Sequence, residues 1–241
     1  MSVEPDVAAV AALIGEPTRA AMLGALLGGI ALPAGELATR ARITPQTASK
    51  HLARLVEGAV IEVRTVGRRR YYRIASPRVG AALEALAVIA RPPRSRTLRE
   101  SEQIKAMRFA RTCYDHLAGT LGVALTQALL DGGMLLRHEE TFEVTPRGDL
   151  LLAQWGVQPQ ALHSRRAFAK PCLDWSERRD HLAGALGAAI ACAFFARGWI
   201  VRMQGCRAVR LTEEGKRALQ RDLGHDFGLA LEPVAPYSVT A

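Results

Sequence analysis

Residues 44–75, TPQTASKHLARLVEGAVIEVRTVGRRRYYRIA, decide how the first half of this chain reads. Thr44 suits a helix cap, and Pro45 suits the first helical position, where its missing N–H costs nothing. From there Thr47, Lys50 and Arg54 fall three and four apart on one polar face, while Ala48, Leu52 and Leu55 form a stripe to bury. The spacing predicts a helix ending near Gly58. Residues 60–66 and 70–74 then read as two strands joined at Gly67, with Arg68, Arg69 and Arg70 at the tip. Guanidiniums grip phosphates bidentately, so this tip suits a nucleic-acid backbone. The expectation is a recognition helix followed by a basic wing. Gln46, Thr47, Ser49 and Lys50 are expected to meet base edges or phosphates in the major groove, with His51 and Arg54 in support. Arg68, Arg69 and Arg70 are expected to hold the flanking backbone or minor groove.

Upstream, AGELATRA at 34–41 predicts a short helix, and Arg42-Ile43-Thr44 is the tight connection of a helix-turn-helix. PTRAAMLGALL at 17–27 is amphipathic with proline at its start. VAAVAALI at 7–14 has no polar face, and residues 79–89, with Leu83, Leu86 and Ile89 on one side, are similar in character. A small apolar helix needs a covering surface, which either a core or a second subunit supplies.

The ordered set Gly15-Glu16-Pro17-Thr18-Arg19, Gly35-Glu36-Leu37-Ala38, Thr47-Ala48-Ser49-Lys50-His51-Leu52 and Gly67-Arg68-Arg69-Arg70-Tyr71-Tyr72 resembles the ArsR/SmtB-like winged helix-turn-helix regulators over about residues 5 to 90. The resemblance implies a homodimeric repressor joined through its first and last helices, which leaves DNA when an inducer binds. Metal-sensing relatives carry paired cysteines in the first helix-turn-helix element, where this chain has Leu37-Ala38-Thr39-Arg40-Ala41. Relatives that bind zinc on the last helix use carboxylates and histidines there, and this chain offers only Glu84. Neither family metal site carries over.

Charge divides the chain. Residues 1–92 hold 12 basic and 7 acidic side chains, residues 93–112 hold 6 and 2, and residues 113–241 hold 14 and 14, so the net +9 lies wholly in the first half. That is the pattern of a DNA-binding module with a neutral appendage. No apolar run approaches the roughly 20 residues of a membrane span, and four cysteines without a CxxC pair suit reduced thiols; a cytoplasmic protein is expected. RPPRSR at 91–96 marks a boundary. Thr97 and Glu100 form a capping box, from which a helical pattern extends as far as Leu130. Lys105, Arg108 and Arg111 on its first stretch either extend the DNA-facing surface or form a solvated face.

The second half is duplicated. DHLAGTLG at 115–122 and DHLAGALG at 180–187 share seven of eight residues at a spacing of 65. Each copy continues through an apolar helix, a glycine stop, a hairpin and a closing helix. The predicted organisation is a winged helix-turn-helix domain (1–92), a basic connector helix (93–112) and a duplicated effector domain (113–241, repeats about 113–160 and 172–225). The fold class is mainly α with small β-hairpins, the second domain being two pseudo-repeated helix-hairpin-helix units about a pseudo-twofold axis. Gly119/Gly122 and Gly184/Gly187 read as helix glycines, each costing about 1 kcal/mol, kept for close helix approach or to make room for a ligand.

Cys113 and His116, three apart, read as one side of a helix beside Asp115; the second copy offers Cys172, Asp174 and His181. Thiol, imidazole and carboxylate together serve transition metals and redox chemistry. Three readings stay open for these six: structural partners, the wall of an organic-ligand cleft, or a metal or thiol sensor. Cys192 and Cys206 read as small core residues, and the cysteines do not fall at equivalent repeat positions. No phosphate loop, HExxH pair or GxSxG elbow is present, so an enzyme is not expected. The chain reads as a dimeric, DNA-binding transcriptional repressor with an imperfectly palindromic operator, released by a transition metal or a small organic effector. The alternative is a constitutive architectural DNA binder whose second domain only reinforces the dimer.

Overall fold

The computed structural model describes residues 4–91, 93, 95, 97–162 and 166–227. They form two compact units, one through Leu86 together with Gly205–Arg207, the other Ala87–Gln204 with the described residues from Ala208 onward. Pro92, Arg94 and Arg96 of the predicted boundary lie outside the described residues.

In the first unit α1 (Val7–Ile14), α2 (Pro17–Leu26), β1 (Leu32–Pro33), α3 (Ala34–Ala41), α4 (Pro45–Glu57), β2 (Ile61–Val66), β3 (Arg69–Ile74) and the greater part of α5 (Pro77–Ile89), as far as Leu86, follow in order. The strands make one antiparallel sheet in the order β1-β3-β2, with Leu32 opposite Tyr72 and Val66 opposite Arg69. Met22, Leu26, Leu37, Leu52, Leu55 and Ile61 are fully enclosed and fix α2, α3 and α4 against this sheet. Burial of such side chains stabilises by about 1.5–3 kcal/mol each. Glu16 caps α2, its carboxylate accepting from Thr18 N at 3.0 Å and Arg19 N at 2.9 Å. The wing turn is Gly67-Arg68 alone, Gly67 taking φ +58°, so Arg69 and Arg70 belong to β3 rather than to the turn. By contrast, Val7 and Val10 on α1 and Leu86 and Ile89 on α5 stay exposed at 70, 51, 45 and 80%.

The second unit contains α6 (Leu98–Phe109), β4 (Arg111–Cys113), β5 (His116–Ala118), α7 (Gly119–Asp131), β6 (Leu135–Arg137), β7 (Phe142–Val144), α8 (Pro146–Gln154), β8 (Lys170–Leu173), β9 (Asp180–Ala183), α9 (Gly184–Ala196), β10 (Ile200–Arg202), β11 (Val209–Leu211) and α10 (Glu213–Leu223). The continuous helix expected beyond residue 97 is therefore wrong. It stops at Phe109, Ala110 turns extended with φ −153°, and a hairpin occupies 111–118. Tertiary pairing overrides helical propensity here, since Val209 N donates to Ala110 O and Arg111 is wholly buried. Arg111 is thus no surface cation.

The duplication persists at atomic detail. Thr145 caps α8 by accepting from Gly148 N and donates to Gly133 O; Thr212 caps α10 by accepting from Gly215 N and donates to Gly198 O. Within the second unit the two repeats share one core, with Trp155, Phe194 and Trp199 mutually packed at ring separations of 5.1–6.3 Å. Gly119 and Gly184 open their helices at φ +80° and +90°, where other residues are strained. A Cβ on Gly122 would lie 2.5 Å from Leu117 O and 3.6 Å from His181 Cβ; on Gly187 it would lie 2.4 Å from Leu182 O and 3.2 Å from His116 Cβ. These glycines let each helix close on its own hairpin and on the opposite histidine, not on a second helix. Among the described residues, no single helix is long and apolar enough to cross a membrane.

Candidate functional site

The first unit presents a basic face. On α4, Thr44 Oγ1 accepts from Thr47 N at 3.3 Å, and Ala48, Leu52 and Leu55 anchor the inner side. Gln46, Thr47, Ser49, Lys50 and Arg54 are left exposed, as are Arg64, Arg68, Arg69 and Arg70 on the wing. His51 departs from its expected place: its ring is largely covered and its Nδ1 lies 3.4 Å from Glu16 Oε2, so it braces α4 against the start of α2. The backbone N–H of Thr18, that of Arg19 and the nearby His51 hold the Glu16 carboxyl down at about 2.

The second unit gathers its thiols and imidazoles. Cys113 and His116 are directly opposed across the β4–β5 hairpin, and Cys172 and His181 across β8–β9. Their proximity comes from cross-strand register, not from helical spacing. The cysteines are equivalent after all. Two residues separate Cys113 from His116 and eight separate Cys172 from His181, so a longer loop in the second copy shifts its cysteine in sequence while leaving it in register. The two hairpins meet at these side chains. His116 Nε2 is 3.2 Å from His181 Nε2 and Cys113 Sγ is 3.9 Å from Cys172 Sγ. One ligand atom from each of the four residues lies within 4.8 Å of the other three.

Asp115 and Asp174 stand behind the imidazoles. His116 Nδ1 is 3.3 Å from Asp115 Oδ1, and His181 Nδ1 is 3.2 Å from Asp174 Oδ2. Each carboxylate has an arginine: Arg166 pairs with Asp115, and Arg111 Nη2 lies 2.9 Å from Asp174 Oδ1. Asp174 also accepts from Gly119 N at 2.7 Å, Ser176 N at 2.9 Å and Glu177 N at 3.1 Å, which closes the longer loop. Arg111 stacks on Trp175, 4.2 Å from its ring centre. The sequence placed Arg111 on a DNA-facing or solvated helix face and did not single out Arg166; a buried carboxylate's need for a cation was the available signal.

Charges in this nest follow the geometry. Burial raises the Asp174 carboxyl, yet His181 and Arg111 outweigh it and hold it far below the usual carboxylate range. Burial likewise opposes a charged His181, but Asp174 and Cys172 push it up to about 9. The Cys113 thiol and the two imidazoles hold the Cys172 thiol well below the ordinary range. Cys113, His116 and His181 are buried and Cys172 is partly accessible. By contrast Cys192 is exposed and Cys206 half-exposed, so neither is the core residue expected.

Comparison with known proteins follows the same division. The helix-turn-helix domain family matches residues 14–64. An uncharacterized HTH-type transcriptional regulator of Bacillus subtilis (strain 168), YdfF, is 45% identical over 220 residues, covering 91% of this chain and 97% of that protein. A match of that length extends through both units. Among solved structures, the homodimeric winged helix-turn-helix DNA-binding domain of Mb0332 from Mycobacterium bovis, a possible ArsR-family transcriptional regulator, is 29% identical and covers 37% of this chain and 89% of its own, with a TM-score of 0.32. Reduced HlyU from Vibrio cholerae is 26% identical and covers 34% and 85%, with a TM-score of 0.32.

Proposed function

The chain belongs to the HTH-type transcriptional regulators and carries a helix-turn-helix domain, and from that premise we propose that it acts as an ArsR-like, cytoplasmic, dimeric repressor whose second unit binds the effector that releases it. The observation that carries the reading is the joint exposure of Gln46, Thr47, Ser49, Lys50 and Arg54 on α4 and of Arg68, Arg69 and Arg70 on the wing. These are a helix edge of groove-reading size and a cationic tip of phosphate-holding chemistry. Gln46 and Thr47 take base edges, Ser49 and Lys50 take bases or phosphates, and Arg54 supports them. His51 serves indirectly, through Glu16. The dimer is supported by the exposed Val7, Val10, Leu86 and Ile89, apolar side chains that water disfavours and a second copy covers. A twofold dimer presents its helices to half-sites one or more turns apart, so the operator is an imperfect palindrome. The effector role of the second unit is supported by the balanced charge of residues 113–241, 14 basic against 14 acidic, and by the concentration of thiol and imidazole groups beside the duplicated motif.

Selection of binding sites from a random duplex library tests this. Wild-type protein should enrich an imperfect palindrome. Gln46→Ala and Thr47→Ala should change or blur the enriched sequence. Enrichment of nothing beyond bulk composition would favour an architectural DNA binder and sink the operator reading.

A further inference from the structure

We infer that Cys113, His116, Cys172 and His181 form a four-ligand site for one zinc-type divalent cation that bridges the two repeats of the second unit. The donor set is the first ground. Two thiolates and two imidazole nitrogens are the ligand combination of tetrahedral zinc, whereas the oxygen-rich sets of magnesium or calcium are lacking at this point.

Distances are the second ground. In a tetrahedron the edge is roughly 1.63 times the metal–ligand bond, so Zn–S bonds of about 2.3 Å require S···S of about 3.8 Å, and Zn–N bonds of about 2.0–2.1 Å require N···N of about 3.3–3.4 Å. The two sulfurs here are 3.9 Å apart and the two Nε2 atoms 3.2 Å apart. All six separations fall within 4.8 Å, so closing around an ion needs side-chain adjustment of little more than an ångström. A disulfide fits less well, because its S–S bond is about 2.05 Å and Cys113 and Cys172 would have to approach while turning from the imidazoles that flank them.

The surroundings are the third ground. Both histidines face the site through Nε2 and address a carboxylate through Nδ1, the arrangement that fixes tautomer and ring orientation in zinc sites. Each carboxylate is in turn held by an arginine, Arg166 or Arg111. The surrounding shell therefore repeats with the ligands: each hairpin supplies one thiol and one imidazole, and each His–Asp pair carries its own cation. With four protein ligands the tetrahedron is complete, which is the mark of an ion that is held rather than one that activates water. Each repeat alone supplies only two ligands, so the ion acts as a clasp between β4–β5 and β8–β9. The partly accessible Cys172 provides the route in.

This inference deepens the proposed effector role, giving that site its chemistry, and rests on that role only where DNA is concerned. The test uses the full chain, prepared without a histidine tag under reducing conditions, loaded separately with Zn2+ and Co2+ and freed of excess ion. Elemental analysis should find one zinc per chain. The cobalt form should show the intense visible bands of tetrahedral coordination with thiolate-to-metal charge transfer. Cys113→Ser/Cys172→Ser should retain no ion and show no bands, while Cys192→Ser/Cys206→Ser should retain one equivalent. Because a buried ligand change can unfold the unit, His181→Cys is the second variant: it should keep the cobalt bound and strengthen the charge-transfer band. Wild-type protein that retains no ion, a full equivalent in Cys113→Ser/Cys172→Ser, or a Cys113–Cys172 disulfide formed in glutathione buffer would overturn the site. DNA titration with ion-free and zinc-loaded protein separates the two claims. Stoichiometric zinc with unchanged DNA affinity leaves the site standing and overturns the effector role alone.

Discussion

Replacing Asp174 by alanine probes the element on which the second unit's geometry most depends. Asp174 is fully buried, its Oδ1 lies 2.9 Å from Arg111 Nη2, and both side chains are at most 1% exposed. Alanine leaves the Arg111 guanidinium buried without a counter-charge, although Nη1 keeps Met107 O and Ser176 Oγ at 3.1 Å. Breaking a buried pair by removing one partner costs about 3–5 kcal/mol. Gly119 N, also buried, loses its acceptor, for which about 1–3 kcal/mol is usual. These losses share one network and do not simply add, so about 4 kcal/mol is expected. With an m-value of about 2 kcal/mol/M in urea, the midpoint should fall by about 2 M. The chain's three tryptophans, Trp155, Trp175 and Trp199, all lie in the second unit, so their fluorescence follows that unit alone. The internal comparison is Asp180→Ala. Asp180 pairs with Arg137 at 2.6 Å, but that arginine is 47% exposed, and such a pair contributes at most about 1 kcal/mol. Equal midpoint shifts for Asp174→Ala and Asp180→Ala would refute the reasoning.

Arg68→Ala/Arg69→Ala/Arg70→Ala should weaken binding to all duplexes alike and reduce the salt slope by about 0.9 per lost phosphate contact, measured by anisotropy across a salt series; an unchanged affinity at low salt would remove the wing from the interface. Leu86→Glu should give monomers at micromolar concentration by light scattering and lose operator binding, and a wild type that is itself monomeric would end the dimer reading. Gly122→Ala and Gly187→Ala should each destabilise the second unit by about 1–3 kcal/mol, because the new methyl meets the carbonyl of Leu117 or Leu182; a neutral effect in urea unfolding would show that the helix–hairpin approach is loose. Glu16 has a folded-state pKa lowered from 4.5 to about 2, so its contribution is complete above pH 4.5 and is lost as pH falls toward 2. Hydrogen exchange in α2 should therefore lose its acid dependence over that window in Glu16→Gln, and identical profiles would discount the cap.

The first unit was legible because its signals are local. Thr44, Pro45 and the stripe of Ala48, Leu52 and Leu55 lie within three turns of one helix, and the structure ends that helix at Glu57, next to the predicted glycine. The contact of His51 with Glu16 was not legible because the two lie 35 positions apart and no helical periodicity joins them. In the second unit the repeated octapeptide was visible while its conformation was not. His-Leu-Ala became a strand and Gly119 a left-handed helix opening because Arg111 and Asp174, 63 residues apart, pair in the interior. That is tertiary information. The Cys113–Cys172 equivalence was hidden by the longer second loop. Aligning outward from the two histidines while allowing an insertion would have exposed it.

The duplication also accounts for why the four ligands converge. A hairpin with cysteine opposite histidine is half of a tetrahedral donor set, and half a set binds a divalent cation weakly. The two hairpins place equivalent atoms opposite one another: sulfur faces sulfur, Nε2 faces Nε2, and Gly122 and Gly187 each admit the other copy's histidine. The reciprocity makes Gly122 and Gly187 part of the site although neither carries a donor. A side chain at Gly187 would press on His116 Cβ at 3.2 Å and shift one imidazole away from the other. The glycine spacing of DHLAGxLG and the spacing of its ligands are thus one constraint, set by how closely two histidines must meet.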